Sequence, residues 1–133
     1  METMTIGKVA RLAGVGVETV RFYEKEGLIN KPPHRESGYR QYPIETVHQL
    51  RFIRRAKELG FTLKEIKELL ALRLNSGTTC ADIRHRTEVK IGDINEKIRT
   101  LERMKKALKK LTLACSGRGP VSECPILEAM EDE

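Results

Sequence analysis

The stretch from Cys80 to Leu113 contains no proline, and its one glycine, Gly92, lies inside it. Ile91, Ile94, Ile98 and Leu101 recur at spacings of three, four and three, the a/d rhythm of a coiled coil, and Met104, Leu108 and Leu111 continue it imperfectly. A lone helix of about 34 residues with so narrow an apolar stripe cannot bury that stripe on itself, and the chain holds no second helix of matching length. The expected partner is a second copy of the chain, in an antiparallel coiled coil.

Upstream, glycines and prolines divide the chain into short helices with one interruption. Thr5 can cap a helix whose apolar residues Ile6, Val9, Ala10 and Ala13 fall at i, i+3, i+4 and i+7, and Gly14 stops it. A second short helix, VETVRFYEKEG, turns Val20 and Tyr23 inward, ends at Gly27 and leaves Glu18, Thr19, Arg21 and Phe22 at least partly outward. Two short helices joined through GVG resemble a helix-turn-helix, whose second helix enters a DNA major groove; an ordinary antiparallel helix pair has the same pattern.

NKPPHRESGYRQYP carries Pro32, Pro33, Gly38 and Pro43 and cannot be helical, while Tyr39, Arg40 and Tyr42 alternate as a strand would. It reads as a hairpin wing. His34, Arg35 and Arg40 beside Tyr39 and Tyr42 supply cations and phenolic donors suited to phosphates, although either tyrosine fits equally well as wing core. Two further helices follow. Val47, Leu50 and Ile53, with Phe52 and Leu59 less regularly, line the first, and Gly60 closes it. Thr62 and Glu65 form a capping box for the second, which buries Leu63, Ile66, Leu69 and Leu70. Arg51, Arg54, Arg55 and Lys57 are left as a basic cluster, either a solvated face or a second phosphate clamp.

Charge agrees with that division of labour. The net charge is +6, and residues 1–75 hold 14 Lys and Arg against 9 Asp and Glu, so most of the excess lies in the first half. No run of 18 apolar residues marks a membrane span, no export signal is legible, and three cysteines suit a reducing cytoplasm better than a disulfide framework. An enzyme is not expected: there is no CxxC, no nucleophile with a base at recognisable spacing, and no Gly-rich phosphate loop.

The three thiols are Cys80, Cys115 and Cys124, the last two in the Gly-rich segment ACSGRGPVSECP. Along one helix Cys80 and Cys115 would stand roughly 50 Å apart, at about 1.5 Å per residue, so they cannot share a ligand within one chain. In an antiparallel homodimer centred near Lys97 and Ile98, Cys80 of one chain comes beside Cys115 of the other, and the glycines let Cys124 fold in. Three thiolates suit a thiophilic ion, Hg(II) first and then Pb(II) or Cd(II). Closed zinc sites want a fourth N or S ligand, and residues 115–124 contain no histidine. The plain alternative is three unrelated buried thiols.

TIGKVARLAGVGVETVRFYEKEGLI, GYRQY, LRFIRRAKELGFTLKEIKELL and the spaced cysteines together resemble the MerR family of transcriptional regulators, over nearly the whole chain; GTTC and ACSGRGPVSECPI are most similar to its mercury-responsive branch. Lead and cadmium sensors share the three-cysteine pattern. The resemblance implies a mostly α fold. A winged helix-turn-helix DNA-binding domain would occupy residues 1–75 and a dimerisation helix 76–113, with a metal-binding loop and short C-terminal helix over 114–133. It further implies a homodimer on double-stranded promoter DNA that represses when apo and, on binding metal, bends and untwists the DNA so that RNA polymerase can use the promoter. Thr19, Arg21 and Tyr23 would act from the recognition helix and Arg35, Tyr39 and Arg40 from the wing. Phe22 stands where many relatives have Tyr, so no phenolic contact is assigned there. A metal-buffering or thiol-redox protein is the rival reading, and it needs neither the helix-turn-helix nor the wing.

Overall fold

The computed structural model describes residues 3–32 and 40–132 of the 133-residue chain. It divides into two units, Met1–Arg84 and His85–Glu133.

In the first unit, strand β1 (Thr3–Met4) leads into helix α1 (Ile6–Ala13). The Thr5 hydroxyl accepts the Lys8 N–H at 3.3 Å, satisfying one of the free donors at the helix start. At the other end Gly14 adopts φ +72°, and the Val15 N–H returns to the Ala10 carbonyl at 2.9 Å. A left-handed residue here lets the chain reverse within three residues, and α2 (Val17–Lys25) begins at once. Gly27, at φ +79°, ends α2 in the same way, and the Lys67 ammonium donates to the Glu26 carbonyl at 3.0 Å, a cation at the negative end of a helix dipole.

Strand β2 (Tyr42–Pro43) pairs antiparallel with β1, Met4 opposite Tyr42 and Thr3 opposite Pro43. The sequence pattern anticipated a strand at Tyr42 but expected its partner inside the wing; the partner is the N-terminal segment, because Met4 and Tyr42 both turn side chains into the core. Helix α3 (Ile44–Glu58) starts directly after Pro43, whose fixed φ suits an extended entry. Helix α4 (Leu63–Leu74) opens with the Thr62–Glu65 capping box, both of its hydrogen bonds formed at 2.8 and 3.2 Å.

α1 packs on α3 and on α2, and α3 also contacts α4 and β2. The core they share contains Val9, Val20, Tyr42, Val47, Leu50, Ile53 and Ile66, all essentially without solvent exposure. Each such aliphatic side chain contributes about 1.5–3 kcal/mol through burial, which ties α2 to a scaffold rather than leaving it to stand alone. Leu59 departs from expectation: it is the C-cap of α3 and is 49% exposed, since the helix has already turned away from the core there.

Helix α5 (Cys80–Leu113) begins in the first unit and supplies most of the second. Its bounds coincide with those expected from the proline-free run. Ile91, Ile94, Ile98, Leu101, Met104 and Leu108 are all exposed, between 38 and 61%. A short 3-10 turn (Val121–Glu123) and helix α6 (Pro125–Glu131) complete the second unit.

Candidate nucleic-acid interface and metal centre

The helix-turn-helix presents a polar face. Glu18, Arg21 and Phe22 are exposed and Thr19 is half-buried, as their outward register on α2 requires once Val20 and Tyr23 face the core. Tyr23 is only 5% exposed and packs in the core with its ring centroid 5.6 Å from that of Phe22, so its ring serves the fold. Arg40 is half-buried beside β2. Tyr42 is corrected from a phosphate donor to a core residue: it is 1% exposed, and its hydroxyl donates to the Glu24 carboxylate, leaving no free O–H for DNA. Its pKa is pushed up to about 12, first by burial and then by Glu24, with Arg40 and Arg21 pulling the other way. His34, Arg35 and Tyr39 lie outside the described residues.

The three arginines of the basic cluster on α3 are already engaged. Arg51 donates from Nε and Nη2 to the Leu12 carbonyl at 3.3 and 3.0 Å, closing the C-terminal end of α1. Arg54 and Arg55 both pair with Glu58, at 3.4 and 3.2 Å. An open groove of about 410 Å³ runs between these groups, Arg11 and Gly14. Exposed pairs of this kind are worth only about 0–1 kcal/mol, so Arg54 and Arg55 remain free to exchange Glu58 for a phosphate, whereas Arg51 is held by the fold.

The three cysteines are free thiols, Cys80 exposed and Cys115 and Cys124 half-buried. Cys80 is the first residue of α5, and Thr79 just before it forms a capping box with Asp82: the Thr79 N–H donates to the carboxylate at 2.8 Å and the Asp82 N–H to the hydroxyl at 3.2 Å. Cys115 follows the last turn of α5, its N–H bonded to the Thr112 carbonyl at 3.2 Å. The Gly117 N–H donates to the Cys115 sulfur at 3.4 Å, a contact made by the left-handed turn at Gly117 (φ +81°). Gly119 (φ +103°) continues the reversal, and Cys124 sits between the 3-10 turn and α6. The donor set fits a soft metal ion: thiols unpaired in disulfides, one of them receiving a backbone N–H as a thiolate ligand would. Among the described residues of one chain, no three His, Cys, Asp or Glu side chains come together to hold a metal.

The sequence reading passed over Glu24 and the Thr79–Asp82 box, and it placed Arg51 in a basic cluster without its bond to the Leu12 carbonyl. The box was legible as T-x-x-D before the long helix; Glu24, beside Lys25, reads like any solvated position.

Two short helices reversed through a left-handed glycine, seated in a four-helix core beside a two-stranded ribbon, define a helix-turn-helix DNA-binding module followed by a long helix. The family profile described as "MerR HTH family regulatory protein" matches residues 4–73, and that described as "MerR, DNA binding" matches residues 47–111. A mercuric resistance operon regulatory protein of Bacillus cereus is 43% identical over 125 residues, 94% of this chain and 95% of that protein. Two solved structures share the fold. The transcription regulator PbrR691 from Ralstonia metallidurans, in complex with lead(II), superposes with a TM-score of 0.85 at 34% identity, covering 96% of this chain and 98% of that one. The regulator MerR from Bacillus megaterium, in complex with mercury(II), superposes with a TM-score of 0.75 at 39% identity, covering 97% and 100%. The chain belongs to the MerR family of transcriptional regulators.

Proposed function

We propose that this chain is a metal-responsive regulator of a metal-resistance operon, binding promoter DNA as a homodimer and answering chiefly to Hg(II). The observation that carries the reading is α5 itself: its apolar stripe is exposed, one free thiol stands at its first residue, and another lies two residues beyond its last. An antiparallel partner covers the stripe and sets Cys80 of one chain beside Cys115 and Cys124 of the partner subunit, giving two equivalent three-thiolate sites. Residues 1–75 serve as the DNA-binding part, 76–113 as the dimerisation helix and 114–133 as the metal-binding part. On the DNA, Glu18, Thr19 and Arg21 act from α2 and Arg40 from beside β2, with His34, Arg35 and Tyr39 as further DNA contacts.

A site shared by two chains couples metal to DNA directly. An ion that joins Cys80 to the partner's loop favours one relative pose of the two DNA-binding heads, and the apo dimer favours another. Deforming the DNA between the heads then changes how RNA polymerase reads the promoter without any new base contact. The setting is a reducing cytoplasm. Among the described residues no helix is long and apolar enough to cross a membrane.

Lead(II) or cadmium(II) is the second reading, favoured by the close likeness to the lead-bound regulator. The test is transcription from an operator-bound template titrated with Hg(II), Pb(II), Cd(II) and Zn(II) in excess competing thiol. Activation at the lowest free Hg(II) is expected. Activation by Pb(II) or Cd(II) alone reassigns the metal, and tight metal binding without any DNA footprint identifies a thiol buffer instead.

A further inference from the structure

Among the described residues, Glu24 is an acidic side chain that ties the recognition helix to strand β2. It lies on α2 three residues beyond Arg21, one turn along the same helix side, and it receives the hydroxyl of Tyr42, two residues beyond Arg40. The phenol is enclosed in the core, and the carboxylate is half-buried at the core's edge. Arg21 on α2 and Arg40 beside β2 both act electrostatically on the Tyr42 phenol, opposing the rise that burial and Glu24 produce.

A carboxylate beside a surface built for a polyanion lowers affinity if it faces the phosphates. Here the phenol pins it inward. A hydrogen bond to a charged acceptor is stronger than one between neutral groups, and it stiffens in a site shielded from water. Besides this bond, β2 is joined to β1 by a two-residue ladder and runs directly into α3, and it shares the core with α2 through the apolar cluster of Tyr42, Val20 and Tyr23.

We propose that the Tyr42–Glu24 hydrogen bond is a positioning clamp that fixes the recognition helix and the base of the wing in one register, holding Arg21 and Arg40 at the spacing of their DNA contacts. The proposal rests on the DNA-binding reading above. Glu24 and Tyr42 touch no DNA themselves; they govern discrimination between sequences, because only the cognate duplex rewards correct spacing of both arginines, while unrelated DNA accepts them in any arrangement.

The experiment uses the full chain and two duplexes of equal length, one selected by the wild-type protein from random-sequence DNA and one unrelated. Tyr42→Phe keeps the ring in the core and deletes the donor, and should lower affinity for the selected duplex about tenfold while leaving the unrelated duplex unchanged. Glu24→Gln keeps an oxygen acceptor and should retain most of the discrimination. Adding Glu24→Gln to Tyr42→Phe should cost nothing further in the ratio, since the bond is already gone. Should Tyr42→Phe fail to fold, Glu24→Ala removes the acceptor from the partly exposed side and must lower the ratio in the same way. A fall in melting temperature with an unchanged ratio, or an equal loss on both duplexes, overturns the clamp. If the wild-type chain selects no duplex at all, the DNA-binding reading itself fails, and the clamp with it; a selective wild type with indifferent variants sinks the clamp alone.

Discussion

Gly14→Ala tests the turn that aims the recognition helix, and the sign of its effect is decided by geometry. At an ordinary backbone conformation, replacing glycine with alanine stabilises a protein by about 0.4–1 kcal/mol, because the unfolded chain loses freedom. Gly14 sits at φ +72°, where an alanine pays about 1–2 kcal/mol for the clash of its Cβ with the following carbonyl. The added Cβ would also fall 2.3 Å from Nη1 of Arg54. That atom is the far end of a long side chain that is 53% exposed, so it swings away, giving up the Arg54–Glu58 pair at 3.4 Å, itself worth about 0–1 kcal/mol. The net expectation is a destabilisation of about 1–2 kcal/mol, read as a lower midpoint in urea unfolding followed by helical circular dichroism at fixed chain concentration, with the slope unchanged. In an Arg54→Ala background the steric part disappears, and the same substitution should cost only its backbone share. A neutral or stabilising Gly14→Ala would refute the left-handed turn and the argument built on it.

Arg21→Ala and Arg40→Ala should each weaken operator binding by about 1–3 kcal/mol and flatten its salt dependence while leaving metal stoichiometry intact, as gel shifts and metal titration will show. Cys80→Ala and Cys115→Ala/Cys124→Ala should each lose the transcriptional response to Hg(II), yet mixed subunits should regain part of it, with about one three-sulfur site per heterodimer in the near-ultraviolet thiolate spectrum. No such signal after confirmed subunit exchange would end the shared-site reading. Ile98→Asp places a charge on the exposed stripe of α5 and should shift sedimentation from dimer toward monomer. Because the Tyr42 pKa is raised from the usual 10 to about 12, its proton supports the fold fully below pH 10 and that support is lost between pH 10 and 12; thermal melts of wild type should fall over that window more than those of Tyr42→Phe.

Much of this architecture is local and was therefore legible. Thr5 and Thr62 cap helices through bonds that span three residues, and Gly14 and Gly27 end them through bonds confined to one turn. The absence of proline between Cys80 and Leu113, with apolar residues at coiled-coil spacing, marks one long helix with a narrow apolar stripe, and the structure has a helix with those limits and that stripe exposed. Spacing alone also isolates Cys115 and Cys124 around a turn and sets Cys80 a helix length away.

What the tertiary structure alone decided lies between segments far apart in the chain. Period-two alternation says that Tyr42 points to one side of a strand, but which strand it meets depends on Met4, 38 residues earlier, finding the same core. Tyrosine is apolar along its ring and polar at its tip, so the sequence admits Tyr23 and Tyr42 equally as core or as phosphate donors; only the volume left between α2, α3 and β2 draws both rings inward and turns the Tyr42 hydroxyl to Glu24. Arg51 looked like its neighbours in a basic run, yet the angle at which α1 crosses α3 hands it the free Leu12 carbonyl and leaves Arg54 and Arg55 at the surface. Capping and periodicity are set within a few residues of backbone, whereas the direction in which an amphipathic side chain finally points is set by packing against residues the local sequence does not contain.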